Sequence, residues 1–99
     1  MRQTETTPFR GISQEYSGVV YALHAASRLR VLTMRQVEIA WRIGDGHTDK
    51  RIATDLGIRQ QTVGHHVQCI AQRLHVDRAK HTRAEIVRAV MQAVLELED

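Results

Sequence analysis

Apolar residues recur along this chain at offsets of three and four, a period that predicts helices rather than strands. From about Ser13 to Val31, the residues Tyr16, Val19, Val20, Leu23, Ala26 and Leu29 form one broad apolar band. Leu32 and Thr33 interrupt it, and Thr33 is a suitable N-cap for a second helix over about Met34–Gly44, with Val37, Ala40, Trp41 and either Ile43 or Gly44 facing inward. Ile52, Ala53 and Leu56 follow Thr48 at helical spacing and predict a short third helix. It ends at Gly57, where a chain leaves a helix through a left-handed conformation, and Ile58 turns back toward the core. Val63, Val67, Ile70 and Leu74, at offsets of four, three and four, mark a fourth helix. After the connection His75–Thr82, a fifth helix over about Arg83–Leu97 carries Ile86, Val87, Val90, Ala93, Val94 and Leu97 on one side. The pattern is all-α: residues 1–31 hold an arm (1–12) and an additional N-terminal helix, and residues 32–97 hold four more helices.

The polar positions say more than the apolar ones about chemistry. Two short helices joined by a tight turn between His47 and Leu74 make a helix-turn-helix, whose second helix enters the major groove in proteins that use it on DNA. On that helix Gln61, His65, Gln68 and Gln72 lie opposite the apolar stripe, with Gly64 beside His65. A face meant only for water usually carries Glu and Lys. A row of amides and an imidazole suits base edges instead, because Gln bonds an adenine through both its donor and its acceptor. The backbone of DNA is gripped from helix starts and from flanking basic side chains, which nominates Thr48, Lys50, Arg59, Thr62, His66 and Arg73 for phosphates. Asp49, in the first turn of its helix, is read as a charge favoured by the helix dipole.

These residues also resemble a family. Leu32-Thr33, Arg35, Glu38-Ile39, then Gly46, Thr48, Lys50, Ile52-Ala53, then Ile58, Thr62-Val63, His66-Val67, Leu74 and Val76 are similar to the LuxR-type (GerE-like) DNA-binding domain of bacterial regulators. The resemblance covers about residues 32–97. It implies base contacts at Gly64, His65 and Gln68, phosphate contacts at Lys50, Thr62 and His66, and a structural pair between Arg35 and Glu38. Gly64 stands where the family usually has a basic residue, so fewer charged base contacts are expected. Arg59 replaces a common Ser or Thr cap, which removes a cap worth roughly 1 kcal/mol and adds a cation near the DNA. The resemblance also implies a twofold dimer through the last helix. Six apolar positions there exceed what two short helices can cover, so Ile86, Val87, Val90, Ala93, Val94 and Leu97 are the expected dimer residues. Two-fold symmetry in turn predicts an inverted-repeat operator on double-stranded DNA. The N-terminal band is open to two readings, a cover for its own core or part of a subunit contact.

Composition narrows the rest. The 99 residues hold 14 Lys and Arg against 11 Asp and Glu, a net charge of +3. By segment the balance is +2 for residues 1–31 (four basic, two acidic), +3 for 32–81 (eight, five) and −2 for 82–99 (two, four). The basic excess thus falls on the arm and the helix-turn-helix. Length leaves room for one small domain, so a stand-alone regulator without a receiver or ligand-binding domain is expected. Cys69 is the single cysteine and no apolar run reaches membrane length, so a cytoplasmic, nucleoid-associated protein is expected. His65, His66 and Cys69 supply no four-ligand zinc set, and no metal or cofactor is expected. No catalytic constellation stands out, so an enzyme is not expected. Two alternatives remain: a small interaction protein that pairs with a larger regulator or RNA polymerase, and the promoter-binding region of a sigma factor. His66 after Thr62-Val63 favours the LuxR likeness over the second.

Overall fold

The computed structural model describes residues 17–76 and 81–98. Helix α1 spans Ser17–His24, α2 Met34–Gly44, α3 Asp49–Leu56, α4 Gln60–Arg73 and α5 Thr82–Glu98, with no strand among the described residues. This is the all-α arrangement expected, an N-terminal helix ahead of four others. The expected arm, residues 1–12, and part of the connection, residues 77–80, lie outside the described residues.

Local chemistry sets the helix ends. At α2 the Thr33 hydroxyl accepts from the Gln36 amide (3.1 Å) while the Gln36 side chain accepts from the Thr33 amide (3.0 Å), a reciprocal capping box. At α3 the Thr48 hydroxyl accepts from the Arg51 amide at 3.1 Å. Gly57 closes α3 with φ of 68°, and the Ile58 amide then donates to the Ala53 carbonyl at 3.0 Å. Ile58 packs against the core, as its apolar side chain suggests.

The first helix is shorter than its apolar band implies. The expected continuous helix to Val31 stops at His24, and the chain continues through tight turns in which the amides of Ala26, Leu29 and Leu32 each donate to a carbonyl three residues back (3.0–3.1 Å). A straight helix would carry Leu29 and Leu32 past the end of the bundle. The turns fold Ala26, Leu29 and Leu32 back onto it, all buried, and the His24 imidazole Nε2 bonds the Leu32 carbonyl at 2.8 Å. Val20 and Leu23 are buried and Val19 packs against the same cluster, so among the described residues this band covers its own core.

Helix α2 lies at the centre, packed on α1, α4 and α5. Being surrounded, it buries Ile39 and the polar Gln36, Glu38 and Arg42 as well as Val37, Ala40 and Ile43, which an apolar-stripe argument does not anticipate. Trp41 is half-buried. Gly44 is there for close approach: a Cβ on it would lie 3.1 Å from the Val90 side chain of α5. The charges inside are paired. Glu38, wholly buried, takes Arg35 at 3.2 Å and Arg42 at 3.0 Å, and Arg42 reaches across to Asp55 of α3 at 3.2 Å, where Arg51 also pairs at 3.1 Å. The expected Arg35–Glu38 pair is thus one edge of a network tying α2 to the first helix of the helix-turn-helix.

Helix α5 corrects the assignment of its apolar side. Ile86, Val90 and Ala93 are buried in the core of the same chain, and Val87 and Val94 pack partly against it; of the six residues expected in a dimer contact only Leu97 is exposed. The physical reason is that α5 covers α2 rather than two short helices alone, with α1 closing the other side. Outward from this packed side point Met91 and Leu95, 59% and 61% exposed.

Candidate nucleic-acid interface

Helix α4 is amphipathic in the sense that matters for a groove. Val63, Ile70, Ala71 and Leu74 are buried and Val67 is half-buried, which fixes the rotation of the helix about its axis. Gln61, His65, Gln68 and Gln72 are all exposed on the other side, and Gly64 sits at the edge of that face, half-buried. A Cβ built on Gly64 would meet nothing within 4 Å, so the space beside it is open. The four proposed base readers therefore share one surface.

Thr48 at the cap of α3, Lys50 in its first turn, and Arg59 and Thr62 at the start of α4 are exposed. Arg59 makes no side-chain cap, as its chemistry predicts. The Thr62 amide bonds back to the Arg59 carbonyl at 3.0 Å, which leaves the Gln60 and Gln61 amides at the start of α4 for an outside acceptor, while Thr48 already uses its hydroxyl oxygen on the Arg51 amide. His66 is half-buried, and burial together with the charges of Arg35 and His65 holds its imidazole below the ordinary histidine range. It is a neutral hydrogen-bonding group near pH 7 rather than a cation.

Arg73 stands apart. It lies at the far end of α4, about 20 Å along the axis from Arg59, and its guanidinium donates to the Val31 carbonyl at 3.1 Å. Arg28 answers from the other side, donating to the Leu74 carbonyl at 3.2 Å. The two arginines clamp the turn segment before α2 to the C-terminal end of α4, where a cation also suits the helix dipole. Asp49 is held by Arg83 at the start of α5, which donates to its carboxylate and to the His47 carbonyl. A carboxylate so neutralised repels phosphate less than a bare one.

Sequence reasoning missed Arg42, Arg28 and Arg83 as organisers of this surface. Arg42 follows Glu38 by four residues, a spacing that signals a helical ion pair. Arg28 and Arg83 find their partners 46 and 34–36 residues away, and no local pattern announces such contacts.

The model of the bacterial regulatory proteins of the luxR family (GerE) matches residues 30–90, well over half of the chain. The chain belongs to the luxR family. As a member it is a DNA-binding transcription regulator with a helix-turn-helix. The matched span runs from the end of the turn segment into α5, so α1 precedes the luxR-family part while being packed into its core. No curated protein and no solved structure matches the chain. No helix among the described residues is long and apolar enough to cross a membrane, and no three His, Cys, Asp or Glu among them group as a metal site.

Proposed function

We propose that this luxR-family regulator binds duplex DNA sequence-specifically as a homodimer on an inverted-repeat operator, with α4 in the major groove. Gln61, Gly64, His65 and Gln68 face the bases; Lys50, Arg59, Thr62 and the Thr48 hydroxyl meet phosphates, with neutral His66 as a hydrogen-bonding partner. Arg73, committed to Val31, contributes mainly by holding the end of α4 in place. The observation that carries this reading is the opposition on α4 of an exposed amide and imidazole face to a buried aliphatic one. Such a face offers donors and acceptors without a fixed charge, the equipment for reading base edges.

The dimer is supported by the outward stripe of α5. Ala84, Arg88, Met91, Leu95 and Glu98 recur at offsets of four, three, four and three, and all are exposed. Packed antiparallel on a second copy about a twofold axis, Met91 meets Leu95 and Arg88 meets Glu98, twice over. Such self-complementarity is what an isologous contact requires.

Selection of bound sequences from a random duplex pool tests the function. The expected result is a symmetric motif, lost or altered with Gln68→Ala, while Lys50→Ala weakens all sequences alike. Enrichment of nothing above background argues instead for an interaction protein that pairs through α5 with a larger regulator or RNA polymerase.

A further inference from the structure

His65 carries a feature that the other residues of the exposed α4 face lack. Its Nε2 lies 3.6 Å from the sulfur of Cys69, one helical turn further on. A neutral imidazole bears one hydrogen, on either of its nitrogens, and the other nitrogen is then an acceptor. Which arrangement holds is decided by the partner. Sulfur is a weak acceptor, whereas the imidazole lone pair is a good one, so the favoured contact has the thiol S–H donating to Nε2. The ring hydrogen then sits on Nδ1, which no hydrogen bond among the described residues engages, on a side chain that is exposed.

We propose that Cys69 is a positioning residue that makes His65 a hydrogen-bond donor toward DNA, and thereby excludes cytosine from the base edge that His65 contacts. The proposal rests on the assignment of α4 as the base-reading helix. In the major groove guanine presents acceptors at N7 and O6, thymine at O4 and adenine at N7, while cytosine presents only its amino donor. A hydrogen on Nδ1 can bond any of the first three and meets the cytosine amino group donor against donor. With the hydrogen on Nε2 instead, Nδ1 would accept from cytosine or from the adenine amino group, and guanine and thymine would be the bases disfavoured. Cys69 is half-buried beside the reading face, with its sulfur turned to the ring. It thus becomes a determinant of specificity at a position that it does not touch.

Two measurements on the full chain test this. Long-range proton–nitrogen NMR of histidine-labelled protein, with the His65 signals assigned by their loss in His65→Gln, reads the tautomer without DNA. A hydrogen on Nδ1 is expected in the wild type, and a shift toward Nε2 in Cys69→Ala. A wild-type ring with its hydrogen on Nε2 overturns the proposal. In the sequence selection, His65→Ala should flatten one position per half-site. At that position alone, Cys69→Ala should raise the frequency of cytosine about fivefold, the worth of one ordinary hydrogen bond. If His65→Ala flattens a position that Cys69→Ala leaves unaltered, the proposal fails and base reading by His65 stands. If His65→Ala changes no position, base reading by His65 fails, and the proposal with it.

Discussion

Replacing Glu38 by alanine removes the acceptor at the centre of the ion network. Glu38 is fully buried and Arg42 is 4% exposed, so Arg42 cannot replace the lost carboxylate with water. The ionic hydrogen bonds to Glu38 from Arg42 Nε at 3.2 Å, from Arg42 Nη2 at 3.0 Å and from Arg35 Nη1 at 3.2 Å disappear. Breaking a buried pair from one side costs about 3–5 kcal/mol, because the surviving charge is left uncompensated. Asp55 remains 3.2 Å from Arg42 and is partly exposed, which places the expected loss near the lower figure, about 3 kcal/mol. A domain of this length has about 5–15 kcal/mol in all, so urea unfolding followed by far-ultraviolet circular dichroism should show a large fall in midpoint. Adding Arg42→Met to Glu38→Met takes away the buried charge that has lost Glu38 and should recover at least about 1 kcal/mol relative to Glu38→Ala. A loss below about 1 kcal/mol for Glu38→Ala, or no recovery in the double variant, would refute the claim that this network fastens α2 to the helix-turn-helix.

Gly64→Lys places a long side chain where a Cβ meets nothing within 4 Å; it should stabilise α4 by roughly 0.7 kcal/mol through helix propensity and add a preference for guanine at one position per half-site in sequence selection, and an unaltered preference contradicts its place at the groove. Met91→Glu should convert the dimer to a monomer in sedimentation with stability within about 0.5 kcal/mol of the wild type, and Arg88→Glu should weaken self-association until Glu98→Arg restores it; a wild type that sediments as a monomer ends the dimer proposal. Because the folded chain holds His66 below its unfolded value, its contribution to stability is whole above about pH 6.5 and is lost as pH falls toward the lowered folded value. His66→Gln should flatten that part of the pH profile, and an identical profile rejects the environment described for the ring.

The sequence carried the helix-turn-helix more fully than its surroundings. Thr33, Thr48 and Gly57 are local signals: the two threonines start α2 and α3 and the glycine ends α3, each where its own chemistry requires. The α4 stripe was legible for a related reason: one face of a short helix against a core gives a clean alternation of apolar and polar positions. Elsewhere tertiary packing overrode the local pattern. The band from Tyr16 to Leu29 reads as one helix, yet burial of Ala26, Leu29 and Leu32 is achieved by breaking it after His24. On α5 the apolar side was identified, but Ile86, Val90 and Ala93 are covered by their own chain, because periodicity shows which residues need covering and not what covers them. Met91 and Leu95, the residues left outside, were not nominated. Arg73 illustrates the limit for charged side chains, since its partner Val31 lies 42 residues earlier and nothing nearby in the chain marks it.

The most direct test of the central claim is an amide NMR titration of the full chain with a duplex obtained by selection. If the exposed side of α4 is the surface that meets DNA, the signals of Gln61, Gly64, His65 and Gln68 should shift most, with Lys50 and Thr62 close behind. Large shifts confined to α1 or α5, with those of α4 unmoved, would contradict the account.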